Sequence, residues 1–241
     1  MKNVAIVLAA GSGKRMQSEV KKQFIEVADK PLLFYSLKTF ENSDVITDVI
    51  LVTGEDDIDY CESEIVKRFS FSKVREITTG GKERYHSVMA GLDIINKKGG
   101  CEYVFIHDGA RPFVDEEMLQ RLYADVRLSE ACVAAVKSKD TIKVSNQAGY
   151  VASTPNRNLT WIIQTPQVFE YELIKEAYNI LKEEECGLPC QGIVVTDDAM
   201  VVETWSKHRV KLTEGIYENI KVTTPEDLIV AEVFAKRREW K

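Results

Sequence analysis

Residues 11 to 22 carry the densest set of groups suited to phosphate chemistry. Gly11-Ser12-Gly13 is followed at once by Lys14 and Arg15, and Lys21 and Lys22 come a little later. Glycines let a backbone approach a phosphate closely, and the cations neutralise it. The two familiar glycine motifs fail here. A P-loop needs Ser or Thr after Gly-Lys, whereas Gly13-Lys14 is followed by Arg15. A dinucleotide fingerprint needs Gly or Ala at its sixth position, which is Met16. What remains suits a nucleoside triphosphate attacked at its α-phosphorus. The five-coordinate transition state gathers equatorial charge that fixed Arg and Lys donors stabilise. A tight strand-to-helix turn with solvated lysines is the competing reading.

A second set lies in His107-Asp108-Gly109-Ala110-Arg111-Pro112. Asp108 suits a Mg²⁺ ion or a nucleotide's shell, and Arg111 suits a phosphate. An ion pair within a turn would also account for them. His107 reads as a packing or hydrogen-bonding group rather than a base. Thr196-Asp197-Asp198 opens a helix, and an N-cap with an acidic first turn is enough to explain it. Lys221 ends Asn219-Ile220-Lys221 in a strand-like stretch, where a solvated lysine is the default, and composition alone assigns Arg157 no role. Cys186 and Cys190 are spaced like half a metal site, but no second pair completes it.

These groups need a scaffold, and the apolar pattern supplies one. The short run from Val4 to Ala10 reads as a buried parallel strand delivering the glycine loop at its carboxyl end, where open α/β sheets bind ligands. Further strands are expected at Thr47–Gly54, Val74–Thr78, Tyr103–Ile106, Cys132–Lys137 and Val210–Thr213. Helices are expected after Pro31, at 58–69, 83–95, 115–128 and 171–184, near Asp197, and after Thr224-Pro225-Glu226-Asp227. The alternation argues for one doubly wound, mostly parallel α/β domain over residues 1–241. At about 138–160 the chain turns polar and turn-rich, which reads as a β-arm leaving the core and packing on a second subunit.

Composition narrows the function. The chain has 241 residues, 44% of them hydrophobic, and a net charge of -6. That balance argues against an electrostatic nucleic-acid binder. No run of about 18 apolar residues is present, so no transmembrane helix is expected. The N-terminus enters a strand directly, so no export signal is expected. Five scattered cysteines, an odd number, fit reduced thiols in a cytoplasmic protein.

The segments AAGSGKRM with KKQF, GGKERYHSV, HDGARPFV, DTIKV, TPNRNLTWIIQTPQVF, TDDAMVVE and NIKVTTPEDLIVAE together span nearly the whole chain. In that order they closely resemble the 2-C-methyl-D-erythritol 4-phosphate cytidylyltransferase family of the non-mevalonate isoprenoid pathway. The resemblance implies a Rossmann-like nucleotidyltransferase fold whose arm interlocks with a partner in a homodimer. It implies CMP transfer from CTP, with Mg²⁺ held mainly by the CTP phosphates and Asp108 its one candidate protein ligand. Arg15 and Lys22 would stabilise the transition state, and Lys221 would reach the reacting phosphates. Ala9, Ala10, Gly11, Gly81, Ser87 and Asp108 would surround the nucleotide. Arg111, Thr141, Arg157, Thr165 and Thr196 would hold methylerythritol phosphate, some of them from the neighbouring subunit. Lys82, His86 and Pro155-Asn156 depart from the family's usual residues. Ribitol 5-phosphate cytidylyltransferase, with the same donor and reaction, is the nearest rival. An NAD-dependent oxidoreductase is disfavoured by Met16, and a non-catalytic nucleotide sensor by the cations at the α-phosphate.

Overall fold

A seven-stranded sheet forms the centre of the computed structural model, with strand order β11-β7-β10-β6-β1-β4-β5. The structure describes residues 2–11, 13, 16, 20–188 and 192–238, so Arg15, Lys14 and Cys190 lie outside the described residues. The strands are β1 (Asn3–Leu8), β4 (Asp48–Thr53), β5 (Val74–Thr79), β6 (Tyr103–Asp108), β7 (Ala131–Lys137), β10 (Trp161–Glu170) and β11 (Lys211–Glu214). Two small pairs stand outside the sheet: β2 (Glu26–Val27) with β3 (Lys30–Pro31), and β8 (Val144–Ser145) with β9 (Val151–Ser153). The helices are α1 (Leu32–Asn42), α2 (Ile58–Tyr60), α3 (Arg84–Lys97), α4 (Glu116–Ser129), α5 (Tyr171–Glu184), α6 (Asp198–Val201) and α7 (Pro225–Arg237). The helix expected at 58–69 is only one α-turn and then winds as a π-helix over Cys61–Lys67. None of the described helices is long and apolar enough to cross a membrane.

Side chains alternate across a strand, so a sheet buried on both faces splits its residues between two cores. In β1, Ala5 and Val7 join one cluster while Val4 and Ile6 join the other. The first cluster is closed by α1, α4 (Met118, Leu119, Leu122, Val126) and α7 (Ala231, Ala235). The second is closed by α3 (Val88, Leu92, Ile95), α5 (Ile174, Ala177, Leu181) and α6 (Ala199, Val201). Each buried branched side chain contributes about 1.5–3 kcal/mol from removal of its apolar surface from water. The helix starts match their sequence signals. Asp115 accepts from Met118 N at 2.8 Å, and Thr224 with Asp227 forms a capping box around Pro225.

Two further elements differ from the sequence expectation. β10 was not anticipated, yet it runs ten residues between β6 and β7 and is antiparallel to both. Pro166 argues against a central strand because it has no N–H for the ladder. Here it falls within a register shift between Ile163 and Gln167, where pairing with β7 is interrupted. The stretch around Lys221 is not a strand but an extended loop, pinned by Val222 N to Ala110 O at 2.8 Å.

Candidate active site

The carboxyl ends of β1 and β6, the loop entering α3 and the Lys221 segment enclose a cleft of about 370 Å³. Leu8, Ala9, Ala10 and Gly11 form its floor, and Gln23 fixes that floor by donating to the Ala9 carbonyl at 2.5 Å. Gly13 adopts φ +62 and lies so close to Lys22 that an added Cβ would sit 3.3 Å from its side chain. The glycine therefore lets Lys22 fold in against the loop, where it lines the cleft. Gly80 has a similar role, since a Cβ there would come within 2.5 Å of Ala10 Cβ and Ser87 Oγ. The opposite wall is Gly81, Lys82, Glu83, Arg84 and Ser87. Among the described residues, four cations (Lys22, Lys82, Arg84, Lys221) and two carboxylates (Glu83, Asp108) line the cleft, a balance that favours a polyanion.

The α3 entry is held by its own chemistry. The Glu83 side chain and His86 form a capping box, with Glu83 N donating to His86 Nδ1 at 3.1 Å. His86 Nε2 then lies 2.6 Å from Glu185, which also accepts from the Tyr85 hydroxyl at 2.9 Å. His86 thus serves as a local cap and tether.

Asp108 lines the cleft and is 8% exposed. Lys221 Nζ meets its Oδ2 at 2.6 Å and Arg84 Nε meets its Oδ1 at 3.2 Å. Burial alone would raise the Asp108 carboxyl, but Arg84 and Lys221 together hold it well below the usual carboxylate range. Arg84 also forks onto Asp198 with two bonds of 2.8 Å, and Tyr178 donates to Asp198 at 2.6 Å. Asp198 is fully buried. Burial works against the Arg84 charge, yet the two carboxylates raise its pKa well above the ordinary value.

Sequence reading missed Arg84, Asp198 and Tyr178. Asp198 looked like an ordinary first-turn acid, and Arg84 sat unremarked inside GGKERYHSV. Their pairing is separated by 114 residues and has no local signal. Gln167, from the unanticipated β10, anchors the same region. Its Oε1 accepts from Asp198 N at 3.0 Å and Ala199 N at 2.9 Å, and its Nε2 donates to Asp197 at 3.0 Å.

A second cleft of about 430 Å³ opens on the other side of Lys221. Arg111, Lys137, Lys139 and Lys221 line it with one carboxylate, Asp140. Arg111 is aimed by Asn219 O at 2.8 Å and Ile163 O at 3.3 Å. Lys221 is a wall of both clefts.

The expected substrate residues divide. Arg111 lines the second cleft, and Thr141 is an exposed neighbour of its wall residues Asp140 and Ile142. Thr165 lines neither cleft. It is 5% exposed, and its hydroxyl accepts from Asp108 N at 3.0 Å while facing His107 Nδ1 at 3.1 Å. In this structure it braces the Asp108 backbone. Arg157 and Thr196 are exposed and line neither cleft. Among the described residues no three His, Cys, Asp or Glu side chains converge as a metal cage. The hard oxygens of Asp108 in the first cleft suit Mg²⁺ alongside phosphate oxygens.

A family model for IspD, 2-C-methyl-D-erythritol 4-phosphate cytidylyltransferase, matches residues 3–237. A protein of that name from Lachnoclostridium phytofermentans is 48% identical, covering 99% of this chain and 98% of its own. One from Lachnospira eligens is 49% identical over 97% of this chain and 99% of its own. A crystal structure of 4-diphosphocytidyl-2C-methyl-D-erythritol synthase from Anaerococcus prevotii superposes with a TM-score of 0.83. It is 35% identical and covers 98% of this chain and 96% of that one. The sheet, the cleft lined by Asp108 and these full-length matches agree, and the chain belongs to the 2-C-methyl-D-erythritol 4-phosphate cytidylyltransferase family.

Proposed function

We propose that the chain transfers CMP from CTP to 2-C-methyl-D-erythritol 4-phosphate, giving 4-diphosphocytidyl-2-C-methyl-D-erythritol and pyrophosphate. The observation that carries this reading is Lys221, one cation shared by two cation-lined clefts. Two anionic ligands seated in those clefts would meet across it. CTP takes the cleft floored by Ala9–Gly11, and the sugar phosphate takes the one walled by Arg111.

The chemistry is direct displacement. A phosphate oxygen of the acceptor attacks the α-phosphorus of CTP, and the bond from that phosphorus to the bridging oxygen breaks, releasing pyrophosphate. A phosphate monoester is already ionised at neutral pH, so positioning and charge stabilisation carry the rate rather than a strong base. Lys22, Lys221 and, from its place in the glycine loop, Arg15 supply the charge that builds on the α-phosphoryl oxygens. Arg111 holds the acceptor's phosphate. A divalent cation carried by the triphosphate would have Asp108 as its protein ligand and would neutralise the departing pyrophosphate.

Arg157 belongs, on this reading, to a neighbour's site. Tyr150 and Leu159 on the arm are 74% and 77% exposed, and an apolar surface of that kind suits a second copy of the chain. The free thiols of Cys61, Cys101, Cys132 and Cys186 are in keeping with a cytoplasmic enzyme.

Pyrophosphate release measured with CTP and each acceptor tests the assignment. Turnover is expected with methylerythritol phosphate and near background with ribitol 5-phosphate. Turnover with ribitol 5-phosphate alone would overturn it.

A further inference from the structure

Asp108 presents two oxygens to two different cations. Lys221 takes Oδ2 and Arg84 takes Oδ1, so Lys221 can swing away without disturbing the Arg84 bond. The cations are also held differently. Lys221 stands on an extended loop with its side chain 38% exposed. Arg84 starts α3, and its Nε and both Nη atoms are all engaged. Its anchor, Asp198, is fixed in turn by Tyr178 and by Gln167. One cation is free to move toward a ligand while the other stays in place.

We infer that Arg84 is a positioning residue for the transfer, the standing counter-ion of Asp108 that lets Lys221 leave that carboxylate for the incoming phosphates. The inference rests on the cytidylyltransferase reading. Without Arg84, Asp108 would be a largely buried carboxylate with Lys221 as its direct ion-pair partner. Separating that pair would leave a buried charge uncompensated until the triphosphate's divalent cation reached it, so Lys221 would be slow to leave Asp108. The cost would fall on the step in which Lys221 acts, not on nucleotide binding in general.

A double-mutant cycle between Arg84→Met and Lys221→Met tests this. It is run in an Asp198→Asn background so that removing Arg84 does not leave Asp198 as a buried acid without its cation. Arg84→Met is expected to lower kcat about 10- to 100-fold, the range seen when a partner orienting a primary active-site ligand is lost. KM for CTP should change much less. In the presence of Lys221→Met, Arg84→Met should cost little more, because both act through Lys221. Losses that multiply would overturn the inference, as would an unchanged kcat. A loss confined to KM for CTP would make Arg84 a nucleotide ligand and would also overturn it. If circular dichroism shows that the Met variant does not fold, Arg84→Lys replaces it. Lys keeps the charge but not the fork, so a smaller loss with the same non-additivity is expected, and multiplying losses count against the inference again. Failure of the background enzyme to release pyrophosphate from CTP and methylerythritol phosphate, where wild type also fails, would instead count against the reaction.

Discussion

At the end of β6, two adjacent titratable groups are each locked into one charge state, for different reasons. Asp108 is kept ionised by the two cations on its oxygens. His107 is kept neutral, because burial pushes it down to about 4. Geometry agrees. His107 Nε2 lies 2.9 Å from the Arg111 carbonyl, which can only accept, so the proton sits there and Nδ1 receives the Thr165 hydroxyl. That hydroxyl then accepts from Asp108 N, so one hydrogen-bonded line runs from Arg111 O to the Asp108 backbone. A His depressed in the folded state costs stability where only the unfolded chain binds the proton. Stability should therefore fall as pH drops from about 6.5 toward 4, by up to ~1.4 kcal/mol per pH unit from this group. Urea melts of wild type and His107→Gln across that window check it. The variant should show a flatter slope, and parallel curves would remove His107 as the source. Asp108 acts in the same direction, at lower pH. Its contribution is complete above the ordinary carboxylate value and is lost only as pH falls further, outside the His107 window.

Among the elements, β10 shows most clearly what was hidden in the sequence. The parallel strands were legible because runs such as VAIVL and YVFI are apolar throughout, as a sheet covered on both faces requires. β10 carries Gln164, Thr165, Pro166 and Gln167 in its middle, and all three polar residues are buried. Each has a distant partner: Gln164 donates to Ile216 O, Thr165 braces Asp108, and Gln167 holds the start of α6. Polar residues satisfied by contacts remote in sequence give no periodic signal. Gln167→Leu should therefore act on α6 more than on the sheet. It strands the Asp198 and Ala199 N–H groups and should cost about 2 kcal/mol, within the range for buried groups left without partners. Denaturant unfolding measures this, and a loss below about 0.5 kcal/mol would mean that water or a neighbour takes over the docking.

For the whole molecule, one chain brings most residues of the proposed site to two adjoining clefts. The first cleft was legible because its residues follow strand ends in sequence: Ala9–Gly11 after β1 and Asp108 closing β6. The Arg84–Asp198 strut was not, because it joins helix starts far apart in the chain. Arg157 raises the remaining question. It lies on the exposed turn Arg157–Leu159 and borders neither cleft of its own chain, while Lys22 lines the first. If the arm completes a neighbour's site, a chain lacking Lys22 can still lend Arg157, and a chain lacking Arg157 can still offer Lys22. Lys22→Ala alone should lose about 10²-fold or more in kcat, as expected for one fixed transition-state donor. Arg157→Ala alone should raise KM for the sugar phosphate but not for CTP. Mixed in equal amounts and allowed to exchange, half the dimers would be hybrids, each with one intact site. Activity should then recover to roughly a quarter of wild type, as random pairing in a twofold assembly requires. If Arg157 instead serves its own chain, every hybrid site lacks one residue or the other, and mixing should restore nothing.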